Sequence, residues 1–118
     1  MNGIKLRGTG RCVPANVITN DDLAKLVDTN DAWITARTGI RSRYRCTTEA
    51  HTDLCASAAR AALEKAGVSP AEIGACIVAT VSADTVVPSA ACMLQKALGL
   101  PEDTPCFDLN AACTGFLY

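Results

Sequence analysis

The chain contains 118 residues, and its 11 lysine and arginine residues against 12 aspartate and glutamate residues give a formal net charge of -1 at pH 7. This balance excludes a nucleic-acid-binding protein held by a basic face, because such a protein needs clustered positive charge. With 49% hydrophobic and 19% charged residues, the chain is too apolar for a disordered linker and has the composition of a globular α/β protein.

The first third of the chain predicts a strand followed by two short capped helices. Residues 3–13 begin with alternating apolar and charged side chains and run into a glycine-rich turn, a pattern typical of an edge or bulged strand. Thr19 with Asp22 indicates a helix N-terminus, and the run from Thr29 to Asp31 indicates a second one. Gly39 can end this second helix in a left-handed conformation.

The middle of the chain predicts an exposed extended segment and then a long helix. Residues 40–51 alternate arginine with other side chains, which indicates an exposed strand or an extended loop. Residues 52–66 are alanine-rich with helical periodicity, and Gly67 closes them. Ser69 and Glu72 form a capping-box pattern with Pro70 between them, which predicts a single helical turn.

The last third predicts two parallel strands joined by a helix. Residues 75–81 are continuously apolar, as expected for a central parallel strand covered on both faces. Pro88 precedes a predicted helix over residues 89–98, and residues 106–109 read as a second buried strand. Strands alternating with helical crossovers predict an α/β layered fold, with one domain, or part of one, filling the chain.

Seven cysteines and one histidine limit the metal and disulfide chemistry of the chain. The odd number of cysteines and the lack of any CxxC pair argue against a disulfide framework and against a zinc site. No apolar stretch approaches the roughly 20 residues that span a bilayer, and the first residues lack the layout of a secretory signal. We therefore expect a cytoplasmic protein with no metal and no membrane partner.

The segment from Asp108 to Phe116 is the strongest candidate for chemistry. A predicted buried strand leads into small residues, presents Cys113 and continues into a predicted helix. This arrangement would place the thiol at a helix N-terminus, where unpaired N–H groups and the helix dipole favour the thiolate. Cys113 is then either a nucleophile or a buried structural thiol. The other six cysteines are expected in the core or near loops: Cys12, Cys46, Cys55, Cys76, Cys92 and Cys106.

Two competing motif interpretations are weaker. Gly8-Thr9-Gly10 does not predict a dinucleotide-binding loop, because no third glycine follows and Pro14 interrupts the helix that should open there. His51 lies upstream of Cys113, as in some cysteine proteases, but no matching signature surrounds the cysteine. His51 is therefore expected to be a surface loop residue.

The segment around Cys113 resembles the nucleophile region of β-ketoacyl-acyl-carrier-protein synthase III, in the thiolase-like superfamily. The likeness extends over essentially the whole chain, through motifs that stand in the order and spacing of that family: Gly8-Thr9-Gly10 with Pro14, Thr19-Asn20, Val27-Asp28-Thr29, Asp31, Trp33-Ile34, Arg37-Thr38-Gly39-Ile40-Arg41, Ala79-Thr80 and Pro88-Ser89-Ala90-Ala91-Cys92. The resemblance implies a thiolase-like layered α/β fold with a mainly parallel sheet. Residues 1–118 would be its incomplete N-terminal half, ending just after the nucleophile.

The activity implied by the resemblance is the initiating condensation of fatty-acid synthesis. Cys113 would take the acyl group from a short acyl-coenzyme A, and malonyl-acyl carrier protein would lose carbon dioxide and accept that group. Covalent capture divides one difficult step into two easier ones. No cofactor is implied, since the decarboxylation supplies the carbanion and acyl-coenzyme A is a substrate.

The resemblance also assigns residues to coenzyme A. Trp33 matches the tryptophan that stacks on adenine, Arg37 the arginine that contacts phosphate, and Thr29 a hydroxyl near the adenine. From the residues alone, Trp33 could instead lie on the buried face of an amphipathic helix, packed under the sheet, and Arg37 could be a solvated surface charge. Arg37 follows Trp33 by one helical turn, so both side chains are expected on one helix face.

The loop before Pro88 matches a family segment that reaches across a dimer interface and shapes the acyl pocket. The resemblance therefore implies a homodimer for the full-length protein. Val87 stands where many family members carry a larger residue, so we expect a pocket for longer or branched acyl groups.

The family's remaining catalytic residues do not map onto this chain. Family members use a histidine and an asparagine from the second half of their polypeptide, so we expect residues 1–118 alone to be inactive in condensation. Because uncovered strand edges and apolar helix faces favour aggregation, we also expect them to be poorly soluble or dependent on a partner fragment. Two other interpretations stay open: another condensing enzyme that uses coenzyme A thioesters, of the quinolone or polyketide starter type, and a non-catalytic truncated fragment.

Overall fold

A computed structural model describes residues 3–118, which form two compact units. One unit comprises Val13–Glu49, and the other combines residues 3–12 with Ala50–Tyr118. Among the residues described, no helix combines the length and the apolar character that a membrane crossing requires.

The Val13–Glu49 unit contains two short helices, as predicted, and two short strands, of which only the second lies in a segment that the sequence predicts to be extended. These elements are β1 (Val17–Thr19), α1 (Asn20–Ala24), α2 (Asp31–Thr38) and β2 (Ser42–Tyr44). β1 and β2 pair antiparallel, with Val17 opposite Tyr44. The predicted caps are confirmed: Thr19 and Asp22 form a capping box at α1, and the Asn30 side chain accepts a hydrogen bond from the Trp33 N–H at α2. Gly39 ends α2 with φ 71°.

The second unit packs two helices against a two-stranded parallel sheet. Its elements are α3 (His51–Ala66), β3 (Cys76–Ala79), α4 (Ala90–Leu98) and β4 (Cys106–Leu109), with single 3₁₀ turns at Pro70–Glu72 and Ala112–Thr114. β3 and β4 lie parallel, with Cys76 opposite Cys106. The core consists of small and branched side chains, since aromatics are only 4% of the chain: Ala56, Val78, Ala90, Ala91 and Leu94.

The prediction of a strand over residues 3–13 is wrong. This segment forms no strand ladder in the part of the chain that is described, and the Ile4 and Leu6 side chains are exposed. Instead, the segment passes directly over α3. A Cβ on Gly8 would lie 2.9 Å from the Ala66 Cβ, and one on Gly10 would lie 2.7 Å from the Ala62 backbone nitrogen. The glycines therefore serve close packing against a helix rather than a turn.

The sequence predicts that β3 is covered on both faces, but in the structure only one face is covered. Val78 is 8% exposed and points into the core, whereas Ile77 on the other face is 56% exposed. Phe107, opposite Ile77 in the parallel register, is 49% exposed. Both α3 and α4 pack with the Val78 face, so the apolar residues of the other face remain open to solvent.

Candidate functional site

The predicted nucleophile, Cys113, lies on a tight turn directly after β4. Its thiol is exposed, within the 3₁₀ turn Ala112–Thr114. Ala112 enters the turn with φ 45°, a left-handed conformation that costs a non-glycine residue about 1–2 kcal/mol. The Thr114 hydroxyl donates to the Ala111 carbonyl at 2.7 Å and closes the turn. Strained backbone of this kind concentrates at functional positions.

Small residues let this turn lie against the end of the sheet. A Cβ added to Gly115 would come 3.1 Å from the Ala79 Cβ, at the last residue of β3. A larger residue at position 115 would push the turn outward and carry the Cys113 thiol with it. The sequence pattern of small residues around Cys113 therefore reflects packing of the turn as well as access to the thiol.

The helix predicted to follow Cys113 is not formed in the residues described. Only the Tyr118 N–H donates back four residues, to the Thr114 carbonyl at 3.3 Å, while the Gly115 and Leu117 N–H groups make three-residue turns. Exposure and the strained turn distinguish this thiol from the buried cysteines in the residues described.

Three of the other cysteines are poorer nucleophiles because they are partly buried. Burial raises the pKa of Cys76 to about 11 and also raises the pKa of Cys55 and Cys106. A raised pKa leaves little thiolate at neutral pH. Cys46 is exposed like Cys113, and all seven cysteines carry free thiols. No cluster of potential metal ligands occurs in residues 3–118.

The histidine His51 begins α3 and is not a loop residue. Its ring nitrogens lie 3.7 and 3.9 Å from the Cys55 sulfur, and its backbone N–H donates to Asp84 Oδ1 at 3.0 Å. Its immediate thiol neighbour is therefore the half-buried Cys55.

Asp84 anchors the loop that carries Val87 to the start of α3. The N-cap residue of α3, Ala50, has no side chain that can cap, and Asp84 Oδ2 accepts both the Thr52 N–H and the Thr52 hydroxyl at 2.8 Å. These hydrogen bonds, the backbone bond from Thr52 first, lower the pKa of Asp84. Val87 itself is 84% exposed. Sequence reasoning missed Asp84 because its partners stand 32 and 33 residues away.

The three predicted coenzyme A residues come together in the Val13–Glu49 unit. Trp33 is 53% exposed, so it is not a core residue, and the buried residue of α2 is its neighbour Ile34. The Arg37 guanidinium lies 4.7 Å from the centre of the indole ring, within range of a cation–π interaction. Thr29 and Trp33 line one open cavity of about 260 Å³ together with Asp28 and Asn30. The arrangement offers an exposed aromatic face, hydroxyl and amide groups, and a cation.

The site residues are divided between the two units. Cys113 and Val87 belong to the unit that contains Ala50–Tyr118, whereas Thr29, Trp33 and Arg37 belong to Val13–Glu49.

Over its whole length, the chain is similar to curated condensing enzymes. It is 48% identical over 118 residues to a β-ketoacyl-[acyl-carrier-protein] synthase III of Clostridium acetobutylicum, covering 36% of that protein. It is 50% identical over 115 residues to the enzyme of that name from Thiobacillus denitrificans, again covering 36% of it. The chain thus spans about a third of the length of these relatives. No family model matches the chain.

Solved structures agree with this similarity. The crystal structure of 3-oxoacyl-[acyl-carrier-protein] synthase III from Aquifex aeolicus matches 98% of the chain with a TM-score of 0.93 and 45% identity, the match covering 37% of that structure. The priming β-ketosynthase of the R1128 polyketide pathway matches 95% of the chain with a TM-score of 0.87 and 36% identity, covering 34% of that structure. The predicted resemblance and the thiolase-like α/β fold class, present here in part, are confirmed.

Proposed function

Because the chain matches β-ketoacyl-[acyl-carrier-protein] synthase III from end to end, we propose that it is the N-terminal part of a condensing enzyme of that type. The proposed enzyme is an acyltransferase that starts fatty-acid synthesis. The observation that carries the proposal is the match itself, with 48% identity over all 118 residues. Exposure of Cys113 on a strained turn after β4 supports its role as the acyl acceptor.

The proposed reaction has two covalent stages. The Cys113 thiolate attacks the thioester carbonyl of acyl-coenzyme A, a new carbon–sulfur bond forms, and coenzyme A leaves as its thiolate. Malonyl-acyl carrier protein then loses carbon dioxide, and the resulting enolate carbon attacks the acyl-cysteine. The Cys113 thiolate leaves, and 3-ketoacyl-acyl carrier protein is released. The proposal includes no metal or organic cofactor.

We assign the nucleotide of coenzyme A to the cavity beside Trp33. The exposed indole offers a stacking face for adenine, and the Arg37 guanidinium beside it can pair with phosphate. Thr29 lines the same cavity and supplies a hydroxyl. An indole and a guanidinium held within one helical turn suit a ligand that carries both an aromatic ring and phosphates.

The remaining parts of the proposal concern acyl preference, assembly and location. Val87, on the exposed loop held by Asp84, is assigned to the acyl pocket and to the interface of a homodimer. Its modest size favours longer or branched acyl groups. We place the enzyme in the cytoplasm, where reduced cysteines persist, because all seven cysteines carry free thiols.

A second candidate is a condensing enzyme that primes polyketide synthesis. The similarity to the R1128 priming β-ketosynthase favours it, at 36% identity and a TM-score of 0.87. This enzyme would keep Cys113 and differ in the acceptor. A truncated fragment without turnover is the non-enzymatic alternative. We expect residues 1–118 alone not to complete the condensation, because the chain spans about a third of its relatives.

The test is intact mass spectrometry of the complete enzyme that carries this chain, after exposure to acetyl-coenzyme A. The expected result is the added mass of one acetyl group, located at Cys113 by peptide mapping. Cys113→Ser should abolish the addition, whereas Cys46→Ser, which removes the other exposed thiol, should leave it unchanged. An unmodified Cys113 in enzyme that forms product would refute the proposal. Product formed on an acyl carrier protein of fatty-acid rather than polyketide synthesis separates the two candidates.

A further inference from the structure

One polar side chain of the Val13–Glu49 unit is fully buried. Asn20, the first residue of α1, is 1% exposed and is the largest completely buried side chain among the described residues. Its amide nitrogen donates to Asp31 Oδ1 at 2.7 Å and to the Ile40 carbonyl at 2.8 Å. Its amide oxygen accepts from Arg43 Nη2 at 2.6 Å. The Asn20 amide therefore uses both of its N–H donors and its oxygen acceptor.

These hydrogen bonds hold α2 at both ends. Asp31 is the first residue of α2, and Ile40 follows Gly39, the residue that ends it. Asn20 also lies 3.4 Å from the Thr35 hydroxyl, which in turn donates to Asp31 Oδ1 at 3.2 Å. One buried amide thus fixes the position of an eight-residue helix along its length.

The opposite face of α2 carries the proposed nucleotide-binding side chains. Asp31 and Thr35 are four residues apart and face Asn20, while Trp33 and Arg37 are also four residues apart and contact each other. A shift of two residues turns a helix by about 200°, so the two pairs lie on opposite faces. Any movement of the inner face is transmitted to the outer one because the helix is a rigid element.

We propose that Asn20 is a positioning residue for coenzyme A, acting through α2 on Trp33 and Arg37. The inference rests on the proposed function. An amide suits this place because it donates two hydrogen bonds and accepts others while remaining neutral between a carboxylate and a guanidinium. Aspartate would lose both donors and face Asp31 with a second negative charge. Alanine would leave Asp31 and Arg43 without their shared partner.

The test compares Asn20→Ala with a matched variant in the complete enzyme. Asp22→Asn weakens the capping box of α1 and the Lys25 ion pair but touches neither α2 nor the cavity. Both variants are titrated calorimetrically with coenzyme A and assayed with acetyl-coenzyme A and malonyl-acyl carrier protein. Asn20→Ala should raise the Kd for coenzyme A and the KM for acetyl-coenzyme A about tenfold, with the KM for malonyl-acyl carrier protein unchanged. Asp22→Asn should leave all three within about twofold.

A folded Asn20→Ala enzyme with unchanged affinity for coenzyme A would overturn the inference. Where Asn20→Ala fails to fold, Asn20→Asp keeps the side-chain shape and should raise the same Kd. Adding Asp31→Asn to that variant restores an amide donor opposite the new carboxylate and should recover part of the affinity; no recovery counts against the inference. Wild-type enzyme that neither binds coenzyme A nor becomes acetylated would refute the proposed function instead, and with it this extension.

Discussion

The contact between the N-terminal segment and α3 gives the sharpest structural prediction. Replacing Gly10 by alanine would put a methyl group 2.7 Å from the Ala62 backbone nitrogen and 3.1 Å from the Ala58 carbonyl carbon, with the Ala58 carbonyl oxygen closer still. All three are backbone atoms of a helix, so no side-chain rotation can relieve the overlap. The segment must therefore move away from α3.

The size of this effect follows from the overlap. Backbone atoms and a methyl group need about 3.5 Å of separation, and the Ala58 carbonyl oxygen is the nearest atom, so the segment must retreat by roughly 1.5 Å. A gap of that width forfeits about half or more of each contact along the segment. Overpacking of this kind typically costs about 1–3 kcal/mol, and we expect the middle of that range, about 2 kcal/mol. Gly74→Ala is the matched control, because nothing lies within 4 Å of its added Cβ.

Amide hydrogen exchange in α3 of the complete enzyme measures this loss of stability at the contact itself. A loss of about 2 kcal/mol should accelerate exchange of the Ala58–Ala66 amides about thirtyfold, since each 1.4 kcal/mol corresponds to a factor of ten. Gly74→Ala should leave those rates within about twofold. An unchanged exchange rate in Gly10→Ala would refute the argument that close packing, and not turn formation, requires glycine there.

Three further predictions concern the site and its supports. Hydrogen bonds lower the pKa of Asp84 from its ordinary value of 3.8, so the charged carboxylate stabilises the native state at pH values above 3.8. This stabilisation is lost as the pH falls through the lowered pKa. Asp84→Asn should therefore lower the melting temperature at pH 7, with a difference that shrinks under acid conditions; a constant difference would contradict this. Trp33→Ala should weaken coenzyme A binding by about 5- to 150-fold, given that stacking on an aromatic contributes about 1–3 kcal/mol, and calorimetric titration with Trp33→Phe as the milder variant checks it. Val87→Phe should shift the ratio of turnover from isobutyryl- towards acetyl-coenzyme A, and equal ratios in the two enzymes would exclude Val87 from the acyl pocket.

Local signals in the sequence predicted most of the helices correctly. The capping box of Thr19 and Asp22, the Asn30 cap and the turn at Ser69–Glu72 each depend on residues within four positions, and the structure contains all of them. The helix predicted over residues 89–98 begins one residue later, at Ala90, because Ser89 is the N-cap of α4. Such signals are readable because donor and acceptor are neighbours along the chain.

The features that sequence reasoning missed are made by residues far apart in the chain. Asp84 caps α3 and Asp108 caps α4, the latter by accepting the Ala90 and Ala91 N–H groups at 2.8 Å. Asn20 joins α2 to β2 across 11 to 23 residues. The sequence around an aspartate or asparagine gives no signal of partners that lie this far away along the chain. Only the folded chain shows that the three residues are structural acceptors and donors.

The local structure at Cys113 differs in one respect from the arrangement that the sequence predicted there. Small residues around Cys113 suggested a helix N-terminus, but in the structure they serve a strained turn at Ala112 and close contact of Gly115 with Ala79. A helix N-terminus and a strained turn both require small side chains here, so the sequence alone does not distinguish the two structures. Exposure separates Cys113 from Cys76, because burial raises the pKa of the Cys76 thiol to about 11. The turn holds the Cys113 thiol in solvent, whereas burial raises the pKa of Cys55 and Cys106 as it does that of Cys76, and this difference follows from packing.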